Sequence, residues 1–206
     1  VVVGGSARAV AAAVAAAKSG SQVYLVCDLP YLGEEVCASH LYEREKDEEL
    51  QTTLARRIFQ SASIPTPMAV KKTLEDALID NGVKFLYSSY ATNVLVDAAG
   101  EAAGVVIANR SGREAIRCKA IIDATHEAVV AGFLNAERTP FQPGEQDFDF
   151  TVVGNSPKQA KEIIGIHPWK KELQVGSAHY PVTRYTFRYS MPDNSYATLE
   201  KIEQQI

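Results

Sequence analysis

The sequence predicts an α/β fold: a parallel sheet with helices on its faces, an antiparallel β-meander beside it, and the start of a mixed α+β domain. Three observations lead there. The β-branched run Val1–Val3 ends at Gly4-Gly5, and an alanine-rich stretch and a second apolar run follow before Cys27. Four short strand-like segments succeed one another between Val83 and Cys118. Beyond Pro140 the pattern changes, and Thr183–Met191 alternates aromatic, polar and basic residues.

In chain order, Val1–Val3 reads as a buried strand and Gly4-Gly5 as a tight turn. Ser6 to Ser19 is rich in alanine, the best helix former, and Gly20 stands where a helix-ending glycine belongs. Gln22–Val26 is the next strand. Asp28 to Ser39 reads as a loop, with Pro30 and Gly33 as breakers. Tyr42 to Gln60 is charged and helical in pattern, and Ile64-Pro65-Thr66-Pro67 interrupts it. Met68–Asn81 carries Val70, Leu74, Ala77 and Leu78 at helical spacing, closed by Gly82. Four strands are predicted at Val83–Tyr87, Thr92–Asp97, Gly104–Asn109 and Glu114–Cys118, with turns at Ala98-Ala99-Gly100 and Ser111-Gly112. Ala120–Ala124 is a further apolar strand, and a short helix covers Glu127–Asn135. Pro143-Gly144 is a turn, Phe148–Val153 a strand, Ser156–Ile164 a helix and Thr183–Met191 a strand. Ser195 caps a last helix to Ile206. These elements divide into a first domain, 1–138, and the beginning of a second, 139–206.

Composition narrows the classes. The chain has 206 residues, 46% of them hydrophobic, which suits a globular protein of one large domain or one and a part. Its 21 basic and 25 acidic residues leave a net charge of −4, which argues against nucleic acid as a partner. No apolar run is long enough to span a membrane. Cys27, Cys37 and Cys118 are scattered and form no CxxC or Cys/His cluster, so neither a structural metal nor a disulfide framework is expected. This usage fits a reducing compartment such as the cytoplasm. The chain starts at Val1 within a strand and stops at Ile206 within a helix, so both ends read as cut.

The glycine turn carries the main chemical signal. A dinucleotide diphosphate binds where N–H groups at a helix N-terminus point at it. That demands a tight first position, a small middle position for phosphate approach, and a small last position for helix–strand packing. Gly4, Ser6 and Ala9 occupy these three places within Gly4-Gly5-Ser6-Ala7-Arg8-Ala9. Serine in the middle is a departure, though its hydroxyl can donate to a phosphate. The end of the second strand customarily offers an acid to a ribose hydroxyl. Here that position is Cys27. Asp28 reaches the ribose if the strand runs one residue longer; otherwise it is a surface residue opening a loop. The frame alone also serves an NAD(P)-dependent dehydrogenase, although the meander before Ala120 argues against a plain doubly wound fold.

The run Val3-Gly4-Gly5-Ser6, the alanines from Ala11 to Ala17, Gly20, Val23–Val26 and Tyr31-Leu32-Gly33 resemble the N-terminus of FAD-dependent oxidoreductases of the glutathione-reductase-like superfamily. Within it, the sequence most resembles the FAD-dependent oxidoreductase family related to fumarate-reductase-type flavoproteins. The resemblance continues through the meander to Ile121-Ile122-Asp123-Ala124-Thr125 and covers about Val1 to Asn135. It implies a Rossmann-like domain with FAD as cofactor. It implies that Gly4, Gly5, Ser6, Arg8 and Ala9 hold the diphosphate, that Asp28 meets the ribose, that Gly33 permits close backbone approach, and that Ala124 and Thr125 line the nucleotide channel. The superfamily has an Ala-Thr-Gly sequence where this chain has Ala124-Thr125-His126. Ser6, Cys27 and His126 thus all depart from the pattern at cofactor contacts. The superfamily also uses a second, C-terminal FAD segment, which would lie beyond Ile206.

Other residues are weaker candidates. Cys37 and His40 lie in the loop that would run towards the flavin, but a thiol there is more often simply buried. His126 is an acid–base candidate or a plain helix-start residue. His179, Tyr180, Arg184, Tyr185 and Arg188 form an aromatic and basic group. Its arginines suit a carboxylate substrate, and a packed strand face explains the pattern equally. The sequence names no catalytic acid or base. The expected function is flavin-dependent hydride transfer with a small organic substrate; the alternative is a binding or scaffold module that has lost its flavin.

Overall fold

The computed structural model describes residues 1–38, 50–59, 65–137, 139–154 and 158–206. The chain forms two compact units, the first ending at Glu137 and the second running to Ile206.

The first unit is built on a parallel sheet. Strand β1 (Val2–Val3) lies between β2 (Tyr24–Val26) and β7 (Ile122–Asp123), and β3 (Lys84–Leu86) adds outside β2, giving the order β3-β2-β1-β7. In register, Val2 stands beside Leu25 and Ile122. β1 and β2 are short and apolar, with Val2, Val3, Leu25 and Val26 buried, as in a sheet covered on both faces; the outer strands β3 and β7 carry the exposed Lys84 and Ile122. Helix α1 (Ala7–Lys18) crosses from β1 to β2, capped by the Ser6 hydroxyl, which accepts from Ala9 N–H, and closed at Ser19. Its Ala9, Val10 and Ala13 are fully buried. The helical spacing in Met68–Asn81 becomes α4 (Pro67–Asp80), with Thr66 as cap and Pro67 in the first turn, where a missing N–H costs nothing. Its apolar stripe of Val70, Leu74, Ala77 and Leu78 is buried.

The meander has three strands: β4 (Tyr90–Val96), β5 (Ala102–Asn109) and β6 (Gly112–Arg117), all antiparallel. Val83–Tyr87, expected as its first strand, instead supplies β3 of the parallel sheet. It follows a crossover helix, α4, and β2 offers it a free parallel edge.

Other expectations shift locally. The Asp28–Ser39 loop contains a one-turn helix, α2 (Glu34–Cys37), opened by Gly33 in the left-handed region. Of the predicted helix Tyr42–Gln60, α3 (Thr53–Phe59) is observed; residues 42–49 and Gln60 lie outside the described residues, as do Ser39 and His40. Helix α5 (Val129–Phe133) starts two residues later than expected, because Ala128 has a φ of +51°.

The second unit is antiparallel. The strand β12 (Val182–Met191) runs between β8 (Gly144–Val153) and β9 (Ile163–Pro168), and β10 (Leu173–Val175) pairs with β11 (Ala178–Tyr180). The sequence reading missed β9, β10 and β11. The helix predicted over Ser156–Ile164 is not present in the described residues 158–164. Lys161 and Glu162 form a turn, and the β-branched Ile163 and then Gly165 pair with Phe187 and Thr186 of β12 instead, with Ile164 at the register shift between them. Helix α6 (Tyr196–Glu203) is capped by Ser195 as expected.

Candidate cofactor site

The site is built where the parallel strands end. In such sheets ligands sit beyond the carboxyl ends of the strands. Gly4 N–H donates to Val26 C=O at 2.8 Å, and Ala124 N–H to Val3 C=O at 2.8 Å, so the ends of β2, β1 and β7 are locked side by side. Gly4 has a φ of +129°, and a Cβ there would stand 2.6 Å from the Ala124 carbonyl oxygen. Only glycine brings these two chain segments so close. Gly5 faces the other neighbour: a Cβ on it would lie 2.2 Å from Cys27 Sγ. The turn is therefore narrow on both sides, against β7 and against β2.

The loop after β2 is tied to the same turn. Gly33 N–H donates to Gly5 C=O at 2.8 Å. Gly33 itself has a φ of +78°, with Leu74 of α4 only 2.7 Å from where its Cβ would be. Lys71, also on α4, places its ammonium 3.7 Å from the centre of the Tyr31 ring, a cation–π contact.

At the start of α1, the Ser6 hydroxyl oxygen accepts from Ala9 N–H at 3.1 Å. Ala7 N–H donates to Glu35 Oε1 at 2.6 Å. The second oxygen, Glu35 Oε2, is buried with no hydrogen-bond partner among the described residues. Glu35 escaped the sequence reading. The signal was there in Glu34-Glu35 directly after Gly33, two acids beside a turn thought to receive an anion.

Of the nine residues expected at the cofactor, Gly4, Gly5, Ser6, Ala9, Gly33, Ala124 and Thr125 gather around this one turn. Arg8 is exposed on the first turn of α1 and makes no ion pair among the described residues. Asp28 is exposed, immediately beyond β2. Cys27 is fully buried, its thiol donating to Tyr31 C=O at 3.4 Å. Burial pushes its pKa up to about 11, despite a backbone hydrogen bond that pulls the other way. It is a neutral packing residue. Cys37 is buried too, hydrogen-bonded to Pro67 C=O, and its thiol is raised chiefly by burial even though Lys71 draws it down. Neither is an activated nucleophile.

Thr125 is engaged on its side-chain side. Its hydroxyl donates to Asp123 Oδ1 at 2.6 Å and accepts from Val129 N–H at 2.9 Å. Asp123 Oδ2 accepts from Ala131 N–H at 2.9 Å. Burial works to raise the Asp123 pKa, but the Thr125 hydroxyl and the backbone donors outweigh it and hold the carboxyl below its ordinary value. Asp123 and Thr125 together cap α5, leaving the backbone of Ala124-Thr125 beside Gly4. His126 is exposed in the following loop.

In the second unit the aromatic and basic group separates. Arg184 and Arg188 share one face of β12, while Tyr185 lies on the other. His179 and Tyr180 belong to the β10–β11 hairpin, where His179 Nδ1 is 3.9 Å from Glu172 Oε2. Arg188 is committed to Asp147 through two bonds of 2.6 and 2.8 Å. Arg184, cross-strand from His167, keeps its Nε buried without a hydrogen bond among the described residues.

Among the described residues no cluster of His, Cys, Asp or Glu is placed to hold a metal ion, and no helix is long and apolar enough to cross a membrane.

The family described as FAD dependent oxidoreductase matches residues 1–149. The chain belongs to the FAD dependent oxidoreductase family. FAD is the cofactor of that family, and Gly4 and Gly5, where a Cβ would meet the Ala124 carbonyl oxygen or Cys27 Sγ, leave the turn before α1 without side chains. No curated protein matches the chain. Among solved structures, a geranylgeranyl bacteriochlorophyll reductase-like protein from Thermoplasma acidophilum has a TM-score of 0.63 at 14% identity, covering 99% of this chain and 59% of its own. An oxidoreductase from Methanosarcina mazei has a TM-score of 0.59 at 10% identity, covering 99% and 81%. CabE, an aromatic hydroxylase from angucycline biosynthesis, has a TM-score of 0.56 at 12% identity, covering 99% and 47%. At these identities the resemblance shows the Rossmann-like fold alone, a fold that hosts many chemistries. The chain spans less than two thirds of the first and third of these relatives.

Proposed function

We propose that the first unit holds FAD with its diphosphate at the N-terminus of α1, and that the protein uses the flavin to oxidise or reduce a small organic substrate by hydride transfer. One observation carries this reading: Gly4, Cys27-Asp28 and Ala124-Thr125 converge at the carboxyl edge of β2-β1-β7, in a chain of a FAD dependent family. When bound, the flavin supplies the hydride chemistry, and the protein supplies binding, orientation and electrostatics. Gly4 and Gly5 give backbone approach to the diphosphate. Ser6 retains its hydroxyl proton for a phosphate oxygen, Arg8 brings a positive charge, and Ala9 keeps α1 tight on the sheet. Asp28 accepts a ribose hydroxyl in place of the buried Cys27. Gly33, Ala124 and Thr125 pass their backbone beside the nucleotide.

A second reading is favoured by two specific features. Cys27 offers no carboxylate at the ribose position, and Glu35 already takes the Ala7 N–H. These suit a cofactor-free binding module on the same fold. The visible absorption spectrum of the full-length protein, desalted after incubation with FAD, separates the two. Retained flavin bands that bleach with a turning-over substrate support the oxidoreductase. A colourless protein after FAD loading favours the binding module and defeats the first reading.

A further inference from the structure

We propose that Glu35 is an internal occupant of the diphosphate seat, so that FAD binds only as this carboxylate gives way, and that Glu35 thereby sets how tightly the dinucleotide is held. The inference rests on the reading that FAD uses the N-terminus of α1.

Ala7 is the first helical residue of α1, and its N–H is one of the donors that no turn of the helix can satisfy. It is the kind of donor that a bound phosphate takes. In this chain it is met at 2.6 Å by a carboxylate 28 positions further on. The arrangement is held from several sides. Gly33 bonds to Gly5, its positive φ turns the chain into α2, and Leu74 and Val70 of α4 pack beneath it. The first turn of α2 therefore points Glu35 back at α1.

The same carboxylate is only half satisfied. Glu35 Oε2 is buried and accepts from nothing among the described residues. A buried charged oxygen without a donor is costly, so the carboxylate is a replaceable guest of the helix rather than a finished part of the core. A diphosphate arriving at Ala7 N–H would meet a like charge within hydrogen-bond range. Two anions cannot share one donor without repulsion, and an anion already at the helix end cancels the dipole that attracts the next. Ser6 and Ala9 are bonded to each other, so Glu35 is the displaceable group.

The test is a titration of the full-length apo protein with FAD, followed by flavin fluorescence, with ADP as a flavin-free diphosphate. Wild type is compared with Glu35→Gln, which keeps shape and an acceptor but loses the charge, and with Glu35→Ala, which empties the seat. Both variants are expected to bind FAD and ADP at least about fivefold more tightly, the scale of one charge at a helix terminus. Glu34→Gln removes the same charge from the exposed neighbouring side chain and is expected to stay within about twofold of wild type. Melting curves by circular dichroism check that each variant is folded. Equal or weaker binding by Glu35→Gln overturns the proposal while leaving the flavin reading intact. So does an equal gain in Glu34→Gln, which would mark a general charge effect. If neither wild type nor any variant binds FAD, this proposal and the flavin reading both fall.

Discussion

At the residue scale, the contact between Gly5 and Cys27 decides how the turn is built. The thiol fills the space that a side chain on Gly5 would need, and no solvent reaches it. Gly5→Ala is therefore expected to destabilise the protein by about 1–3 kcal/mol through overpacking. In a Cys27→Ala background the sulfur is gone and most of that cost should disappear. Urea unfolding of the four members of the cycle measures the coupling; additive effects would show that the two residues do not press on one another. Asp123 makes a second residue-scale case. Its folded pKa is depressed, so the unfolded chain takes up the proton first. Its stabilisation is complete above the ordinary carboxylate value near ~4 and is lost as pH falls through the lower folded value. Asp123→Asn turns an NH2 towards one of the N–H donors and is expected to cost about 1–3 kcal/mol at pH 7. The gap to wild type should narrow in acid, read as urea midpoints at about pH 7 and pH 3. A constant gap at both values would refute the assignment.

At the element scale, the opening βαβ unit was legible because each of its parts is locally encoded. Alanine content marks α1, Ser6 caps it, Gly20 follows its end, and the flanking runs are too short and apolar for anything but buried strands. Helix α4 was legible from its stripe alone. What could not be read depended on partners distant in sequence. Strand β3 looks like any meander strand until β2 is known to have a free edge. The segment Ile163–Pro168 has weak preferences of its own, and β12 decides its state. The same holds at the site. Glycines announce a turn, but that Glu35 reaches back to Ala7 follows from Gly33 and α4 together, not from any local pattern. The site residue missing from the reading is thus the one set by tertiary contact.

On the scale of the whole molecule, burial is uneven. Among the described residues the buried apolar side chains belong to the first unit, except Val182, Met191 and Ile202. The β10–β11 hairpin is almost wholly exposed, and a lone two-stranded pair is marginal in water. Hydrogen exchange is expected to be fastest over residues 173–180 and slowest over β2 and α4. Protection of the hairpin equal to that of β2 would mean that something further covers it.

The strand order β3-β2-β1-β7 also has a consequence for biosynthesis. Strand β1 precedes both of its neighbours in the chain, and the later of them is far off, since the partner of Val2 on that side is Ile122. At ~5–20 residues per second, the ribosome needs roughly 6–24 s to deliver that partner. Throughout that interval one edge of β1 stands open beside a hydrophobic helix, available to any other nascent chain. Slower translation would lengthen the wait.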